Sequence, residues 1–188
     1  STIMENISED AVLSWPCGEY NDVMIRYIEE KKESYLPYPD RTLGVLARGT
    51  DFVNTHLKNH PVHATKEMMA DKIDELMSMW NGLEHIYIAT EDLSYAEYFR
   101  NRFGDKVYFT DQQRYSTRPG QLLYDYHRSE LDRQTGFNLG AEYAASIALL
   151  AQCNSFLASG WCTGVSEAIR QNHGNYRNKY IFDLGFNN

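Results

Sequence analysis

The chain has 188 residues, of which 43% are hydrophobic, 13% aromatic and 23% charged, and its formal net charge at pH 7 is −8. This length suits one domain with a well-covered core or, as an open alternative, two small domains. The acidic balance argues against sequence-independent nucleic-acid binding, which needs a basic face. Because Cys17, Cys153 and Cys162 are odd in number and far apart, we expect no disulfide framework and no zinc site, in a reduced, cytoplasmic protein.

Residues 1–41 differ from the rest of the chain. A helix-like stretch near 19–34 is followed by Pro37 and Pro39, which interrupt regular structure. We therefore predict an N-terminal helical and linker segment over 1–41 and a nucleotide-binding domain over 42–188. Since the chain opens on Ser1 rather than methionine, we also expect it to be a fragment or a processed chain.

Strand-like and helix-like segments alternate after residue 42. The stretch TLGVLARGTDF (42–52) predicts a short buried strand, and further strands are predicted at 85–90, 106–111, 155–159 and 179–185. Helical spacing predicts a helix that Thr65 caps and that reaches Trp80, followed by helices at 94–104, 138–153 and 163–174. A long loop is predicted between 112 and 135. This alternation predicts an α/β fold whose parallel sheet is covered by helices on both faces.

Polar residues follow several of the predicted strands, where ligands of open parallel sheets bind. Arg48 ends the first strand and carries a planar, permanently charged fork suited to phosphate. The segment SGWCTG (159–164) leads from a strand into a helix, whose N-terminus attracts anions. The pattern therefore predicts a diphosphate site. An equally open alternative is that Arg48 pairs with Asp51 or Glu91 only to join strand ends.

The motifs of three common enzyme classes are missing from the sequence. It has no G-x-G-x-x-G after the first strand and no G-x-x-x-x-G-K-[ST], which disfavours dehydrogenases and P-loop enzymes. It also lacks the G-x-S-x-G elbow of many hydrolases.

Three ordered blocks carry a resemblance to a known family: GVLARGTDF, IYIATEDLSYAEYFRNRFGDKVYFTD and GAEYAASIALLAQCNSFLASGWCTGVSEAI with KYIFDLG. Over residues 42 to 186 they resemble the donor-binding, C-terminal half of fucosyltransferase-like GT-B glycosyltransferases. The similarity is closest to bacterial members of capsular and exopolysaccharide synthesis. It is more distant to the α-1,6-fucosyltransferases and nodulation fucosyltransferases.

The resemblance implies roles for individual residues. Arg48 matches an arginine that contacts the donor diphosphate, and Leu46 stands where many relatives have histidine. Because the sugar carbon becomes oxocarbenium-like during transfer, a nearby carboxylate such as Glu91 or Asp111 is expected to help by its charge, and we take Glu91 with Arg48 as the catalytic pair. Asp111 is also expected to bind the donor. The other implied donor-binding residues are Asp51, Thr90, Asp92, Ser159, Thr163 and Gly164.

The same resemblance implies a Rossmann-like lobe of a GT-B enzyme that uses a nucleotide sugar, most plausibly GDP-fucose. Transfer to a hydroxyl of a glycan acceptor with inversion is expected, without a metal or another cofactor. The acceptor lobe is then expected upstream of Ser1. No apolar run is long enough for a transmembrane segment, and peripheral membrane association stays open. The alternative is a non-catalytic module that binds a nucleotide sugar.

Other residues invite competing interpretations. His56, His60 and His63 lie within eight residues and suggest a metal site, but we favour solvent-exposed or acceptor-side histidines because no cysteine accompanies them. Glu142 lies in an apolar helix, where a carboxylate needs partners; a contact to ribose or guanine and a structural hydrogen bond are both open. The tyrosines Tyr115, Tyr124 and Tyr126 favour loop packing over stacking on a ligand.

Overall fold

A computed structural model describes residues 12–13, 18–49, 58–116 and 133–187 of the chain. Its strands are β1 (Thr42–Leu46), β2 (His85–Ala89), β3 (Val107–Tyr108), β4 (Ser155–Ala158) and β5 (Asn178–Ile181). Its helices are α1 (Asp22–Tyr35), α2 (Lys66–Met79), α3 (Leu93–Phe103), α4 (Arg133–Leu150) and α5 (Thr163–Gln171).

The five strands form one parallel sheet in the order β3-β2-β1-β4-β5. The chain moves outward from β1 to β3 on one side and then returns to add β4 and β5 on the other. In register, Leu46 at the end of β1 lies beside Ala89 of β2 and Ala158 of β4. The crevice beyond β1 and β4 is therefore the switch point of the sheet, where open α/β folds bind ligands.

Helices cover both faces of the sheet. β1 is buried along its whole length, and since its side chains alternate between the two faces, both faces must be covered. Leu43 and Val45 belong to one core cluster with α2 and α3, while Leu46 belongs to another with α1, α4 and α5. The predicted α/β, Rossmann-like architecture is confirmed.

The helix caps agree with the sequence. The Thr65 hydroxyl accepts a hydrogen bond from Met68 N at 3.4 Å, as expected of an N-cap. Gly104 ends α3 with a φ of 57°, a conformation that favours glycine. Both helix ends could be predicted because a capping signal depends only on residues that are close in the sequence.

Strand and helix lengths departed from the sequence-based prediction. Only Val107 and Tyr108 of the predicted strand 106–111 pair with β2, because β3 lies at the edge of the sheet. The last strand ends at Ile181; beyond it, Gly185 has a φ of 79° and Phe186 pairs with Pro61. The predicted helix 138–153 instead runs from Arg133 to Leu150.

The N-terminal helix packs against the sheet domain. Ile28 of α1 is buried in the same cluster as Leu149 and Val165. Lys31 forms an ion pair with Asp111, which follows β3. The division of the chain at residue 41 stays a prediction. No helix of the described ranges is long and apolar enough to cross a membrane.

Candidate functional site at the carboxyl edge of the sheet

The ends of β1 and β4 anchor each other through Ser159. The Arg48 N–H donates to Ser159 Oγ at 3.0 Å, and Ser159 N–H donates to the Leu46 carbonyl at 3.0 Å. Ser159 is completely buried. Because β1 and β4 are adjacent and parallel, their first residues beyond the sheet meet. The hydrogen bond to Ser159 thus fixes the backbone of Arg48 where the chain continues beyond β1.

Glu91, in the loop after β2, contacts Arg48 directly. Arg48 Nη1 lies 3.5 Å from Glu91 Oε2, and Gly49 N–H donates to Glu91 Oε1 at 3.3 Å. The two side chains are only 15% and 13% exposed, so this pair is weakly screened by solvent. The ion pair that the sequence left open therefore exists, and it holds the guanidinium at the carboxyl edge.

The start of α5 lies close to Arg48. Cys162, the N-cap of α5, makes no side-chain capping hydrogen bond. Burial raises the pKa of the Cys162 thiol, while the Arg48 charge and the N–H groups of Val165 and Gly164 act to lower it. The guanidinium and the amides of the first turn thus influence the same sulfur atom. Thr163 is exposed and Gly164 is buried at this helix start.

The hydroxyl of Tyr143, a residue of α4 that is 44% exposed, lies next to that first turn. A Cβ added to Gly164 would lie 3.0 Å from the Tyr143 hydroxyl and 3.1 Å from Leu46 Cδ2. Burial raises the pKa of the Tyr143 hydroxyl, although the Arg48 charge opposes that shift. Gly164 is therefore the residue that lets α4 and β1 approach α5 at the site.

His63 is a site neighbour that the sequence did not identify. Its Nδ1 lies 2.9 Å from Ser159 Oγ, and the side chain is 4% exposed. Burial and then the charge of Arg48 lower the His63 pKa to about 4, so the ring is neutral at pH 7. The expectation of a solvent-exposed histidine was wrong for His63 and agrees with exposed His60, whereas the acceptor-side alternative stays a prediction. His56 lies outside the described residues.

The side chains of Thr90 and Asp92 accept hydrogen bonds from backbone N–H groups in the loop after β2 and at the start of α3. Asp92 Oδ1 accepts from Ser94 N at 2.8 Å and from Tyr95 N at 3.2 Å, and so caps α3. Thr90 Oγ1 accepts from Asp92 N at 3.2 Å. Both residues are buried. These contacts give each side chain a structural task next to the site; their roles in donor binding remain predictions.

Asp111 and Glu142 belong to a different part of the edge. Asp111 pairs with Lys31 of α1, and Glu142 Oε2 accepts from Gln113 N at 3.3 Å. Both carboxylates line a small crevice with Tyr27 and Lys31. The structure groups Arg48, Glu91, Ser159 and the α5 start in one place and these two acids in another. Asp51, Tyr124 and Tyr126 lie outside the described residues; Tyr115 is buried and pairs with Asp92.

Within the described ranges, no group of three or more histidine, cysteine or acidic side chains is arranged to hold a metal ion. The positive charge and the helix start offer a different way to bind an anion. Arginine and backbone N–H groups hold phosphate oxygens by charge-assisted hydrogen bonds without a metal.

Solved structures of fucosyltransferases have a similar fold. The fucosyltransferase NodZ from Bradyrhizobium matches with a TM-score of 0.55 and 12% identity, over 92% of this chain and 51% of that chain. POFUT1 in complex with GDP-fucose matches with a TM-score of 0.55 and 9% identity, over 87% and 47%. NodZ α-1,6-fucosyltransferase soaked with GDP-fucose matches with a TM-score of 0.54 and 12% identity, over 88% and 46%.

The chain spans about half the length of the solved structures it matches. No protein-family model matches the sequence, and no curated protein does. At these identities the likeness shows the fold alone: the α/β, Rossmann-like sheet of this chain corresponds to part of a fucosyltransferase-like GT-B fold.

Proposed function

We propose that this chain is the donor-binding part of a glycosyltransferase and binds the diphosphate of a GDP-sugar, and that this sugar is fucose. One observation carries the proposal: Arg48 and the start of α5 converge beyond β1 and β4, at the switch point of the sheet. A net charge of −8 repels anions in general, so a diphosphate needs a local positive site of this kind. The fucosyltransferases with a similar fold were solved with GDP or GDP-fucose.

The chemistry of sugar transfer fits these groups. Departure of the nucleotide leaves negative charge on the outer phosphate, and groups aimed at that charge lower the barrier. The Arg48 fork offers two parallel N–H donors to such oxygens. The α5 start adds backbone N–H groups and the positive end of the helix dipole. We assign the first contact to Arg48 and the second to Thr163 and Gly164.

Glu91 has two proposed tasks. It holds the guanidinium of Arg48 and the amide of Gly49 before the donor arrives. We also assign to its negative charge the stabilisation of a sugar carbon that becomes oxocarbenium-like, as carboxylates do in glycoside cleavage. Glu91 is thus proposed as the electrostatic partner of Arg48 in catalysis rather than as a free base.

Transfer requires an acceptor, and its binding groups are proposed to lie outside this chain. Since the chain spans about half of the similar structures, we place the acceptor lobe, and with it the general base, in the N-terminal remainder of a longer enzyme. The proposed reaction is inverting transfer of fucose to a glycan hydroxyl, in bacterial capsular or exopolysaccharide synthesis. A non-catalytic nucleotide-sugar-binding module is the second candidate, which this half-length favours for the isolated chain.

Calorimetric titration with GDP, GDP-fucose, UDP and a UDP-sugar tests the proposal. We expect GDP and GDP-fucose to bind more tightly than the uridine nucleotides. Arg48→Ala should weaken GDP binding by about 1.5–3 kcal/mol, the range for a hydrogen bond to a charged group. Arg48→Lys should recover only part of that affinity because the planar fork is lost.

Arg41→Ala is the matched control. Arg41 is also an arginine paired with a glutamate, Glu84, at 2.9 Å, but it lies at the start of β1, on the opposite edge of the sheet, and is 49% exposed. GDP affinity should not change in this variant. A folded Arg48→Ala protein with wild-type GDP affinity would refute the donor site. Release of fucose from GDP-fucose by the chain would separate an enzyme from a binding module.

A further inference from the structure

We propose that His63 is a positioning residue: acting through the Ser159 hydroxyl, it fixes the backbone of Arg48 at the carboxyl edge of the sheet. His63 comes from the segment between β1 and α2, whereas Ser159 follows β4. The two side chains meet beneath Arg48 and are both buried. The benefit for GDP binding rests on the proposed function; the positioning itself does not.

The hydrogen bonds connect the three residues in a row. Ser159 Oγ lies 2.9 Å from His63 Nδ1 and 3.0 Å from the Arg48 nitrogen, whose N–H it accepts. A serine hydroxyl has one proton and two lone pairs. When Nδ1 of a neutral ring accepts that proton, the oxygen turns a lone pair toward the Arg48 amide. Without the ring, the hydroxyl is free to rotate and the amide bond loses its fixed acceptor.

The neutral state of His63 suits this task. Burial and the nearby Arg48 charge lower the pKa of His63 and so disfavour imidazolium. A hydrogen bond to the Trp161 backbone acts to raise that pKa, and the charge of His60 acts to lower it, but both effects are smaller. A protonated ring would place a second cation beneath the guanidinium. The neutral ring therefore supports Arg48 without competing for the anion or for Glu91.

The surrounding backbone keeps the ring in place. Ala64 N–H donates to the Ser159 carbonyl at 2.6 Å, directly after His63 in the chain. A Cβ added to Gly160 would lie 3.1 Å from both His63 Nδ1 and the Val62 carbonyl, so this approach requires glycine or a shift of the ring. Val62 N–H in turn donates to the Gly185 carbonyl at 2.9 Å. Ring, serine and loop are packed as one unit.

Amide hydrogen exchange of Arg48, measured by NMR, tests the positioning without any ligand. His63→Leu keeps an apolar side chain in place of the ring and should speed exchange of the Arg48 amide by about tenfold, equivalent to one modest hydrogen bond. His63→Asn places a polar atom where Nδ1 lies and should keep exchange near the wild-type rate. Ser159→Ala removes the acceptor itself and should match His63→Leu. If His63→Leu does not fold, unchanged Arg48 exchange in Ser159→Ala still overturns the proposal.

Unchanged Arg48 exchange in His63→Leu, or in Ser159→Ala, would overturn the proposal. So would equally fast exchange in His63→Asn and His63→Leu, because then only the ring volume matters. Calorimetry with GDP provides the functional arm. His63→Leu should weaken GDP about fivefold or more, and should have no further effect when Arg48→Ala is already present. If the wild-type chain does not bind GDP, the proposed function fails while the exchange rates still decide the positioning.

Discussion

Two clusters of residues at the carboxyl edge of the sheet differ in the burial of their ion pairs and in the elements that they connect. The Arg48 cluster comprises Arg48, Gly49, Glu91, Ser159 and His63; the Lys31 cluster comprises Lys31, Asp111, Glu142 and Tyr27. In the Arg48 cluster the ion pair is mostly buried and lies beside a helix start. In the Lys31 cluster Asp111 is 56% exposed and its partner belongs to the N-terminal helix.

The difference shows what makes a charged group suitable for an anion. A diphosphate near Arg48 meets a guanidinium whose field is little screened, together with the positive end of the α5 helix dipole. Near Asp111 it would meet two carboxylates, with Lys31 already engaged by one of them and its ammonium 5.1 Å from the Tyr27 ring. We therefore expect the ligand at the first cluster, whereas the second attaches α1 to the sheet domain through the Lys31–Asp111 ion pair. Donor-binding roles of Asp111 and Glu142 stay predictions.

The largest expected effect comes from crowding the Arg48 cluster. A Cβ added to Gly49 would lie 2.6 Å from both Cβ and Oδ2 of Asp92, closer than atoms tolerate. Gly49→Ala should therefore lower the free energy of unfolding by about 3 kcal/mol, the upper part of the range for overpacking. Denaturant titration measures it. Gly18→Ala, with no atom within 4 Å of the added methyl group, should change stability by less than about 1 kcal/mol. Equal stability of the two variants would mean that the Arg48 cluster is loosely packed.

Lowering the pH should decrease the free energy of unfolding, because His63 is protonated more readily in the unfolded chain. Its folded pKa of about 4 lies below the usual 6.5, so between these values the unfolded chain binds the proton and the folded one does not. Stability should fall by about 2 kcal/mol from this group between pH 7 and pH 5, and the loss is complete below pH 4. Denaturant titrations at both pH values measure it.

His63→Asn should remove that contribution and flatten the pH dependence. His173→Asn serves as the control, because His173 is exposed and its φ of 55° suits asparagine. The control should keep the wild-type slope between pH 7 and pH 5. A wild-type slope in His63→Asn would show that His63 titrates normally, contrary to its burial.

Breaking the Lys31 cluster should have a small effect. Asp111→Asn removes the charge partner of Lys31 from a half-exposed ion pair, whose contribution to the free energy of unfolding should be below about 1 kcal/mol after solvent screening. GDP affinity should stay within about twofold of wild type. A loss of GDP binding similar to that of Arg48→Ala would move Asp111 into the donor site and erase the distinction between the clusters.

Chelation should have the smallest effect of all. If Arg48 and the α5 start hold the diphosphate, GDP binding should be insensitive to EDTA and should weaken with added salt, since charge attraction supplies part of the affinity. Calorimetry with and without EDTA measures it. Loss of binding in EDTA that Mg²⁺ or Mn²⁺ restores would contradict the metal-free proposal, and Asp51, Glu91 and Asp111 would become the candidate ligands.

The sequence by itself determined the features that depend on neighbouring residues. The alternation of strand and helix patterns predicted the parallel α/β sheet. Thr65 predicted the start of one helix and Gly104 the end of another, because capping signals depend only on nearby residues. It also placed Arg48, Glu91 and Ser159 beyond strand ends. From the parallel order alone, these ends had to share one edge of the sheet.

Only the tertiary structure decided which of those edge residues meet. The strand order puts β1 between β2 and β4, so Arg48 lies against both Glu91 and Ser159. β3 is an outermost strand of the sheet, and Asp111, which follows it, pairs with Lys31 instead. The same packing buried His63, which no local pattern indicated. Burial and contacts between distant segments depend on how the whole chain closes on itself, and spacing along the sequence does not record that.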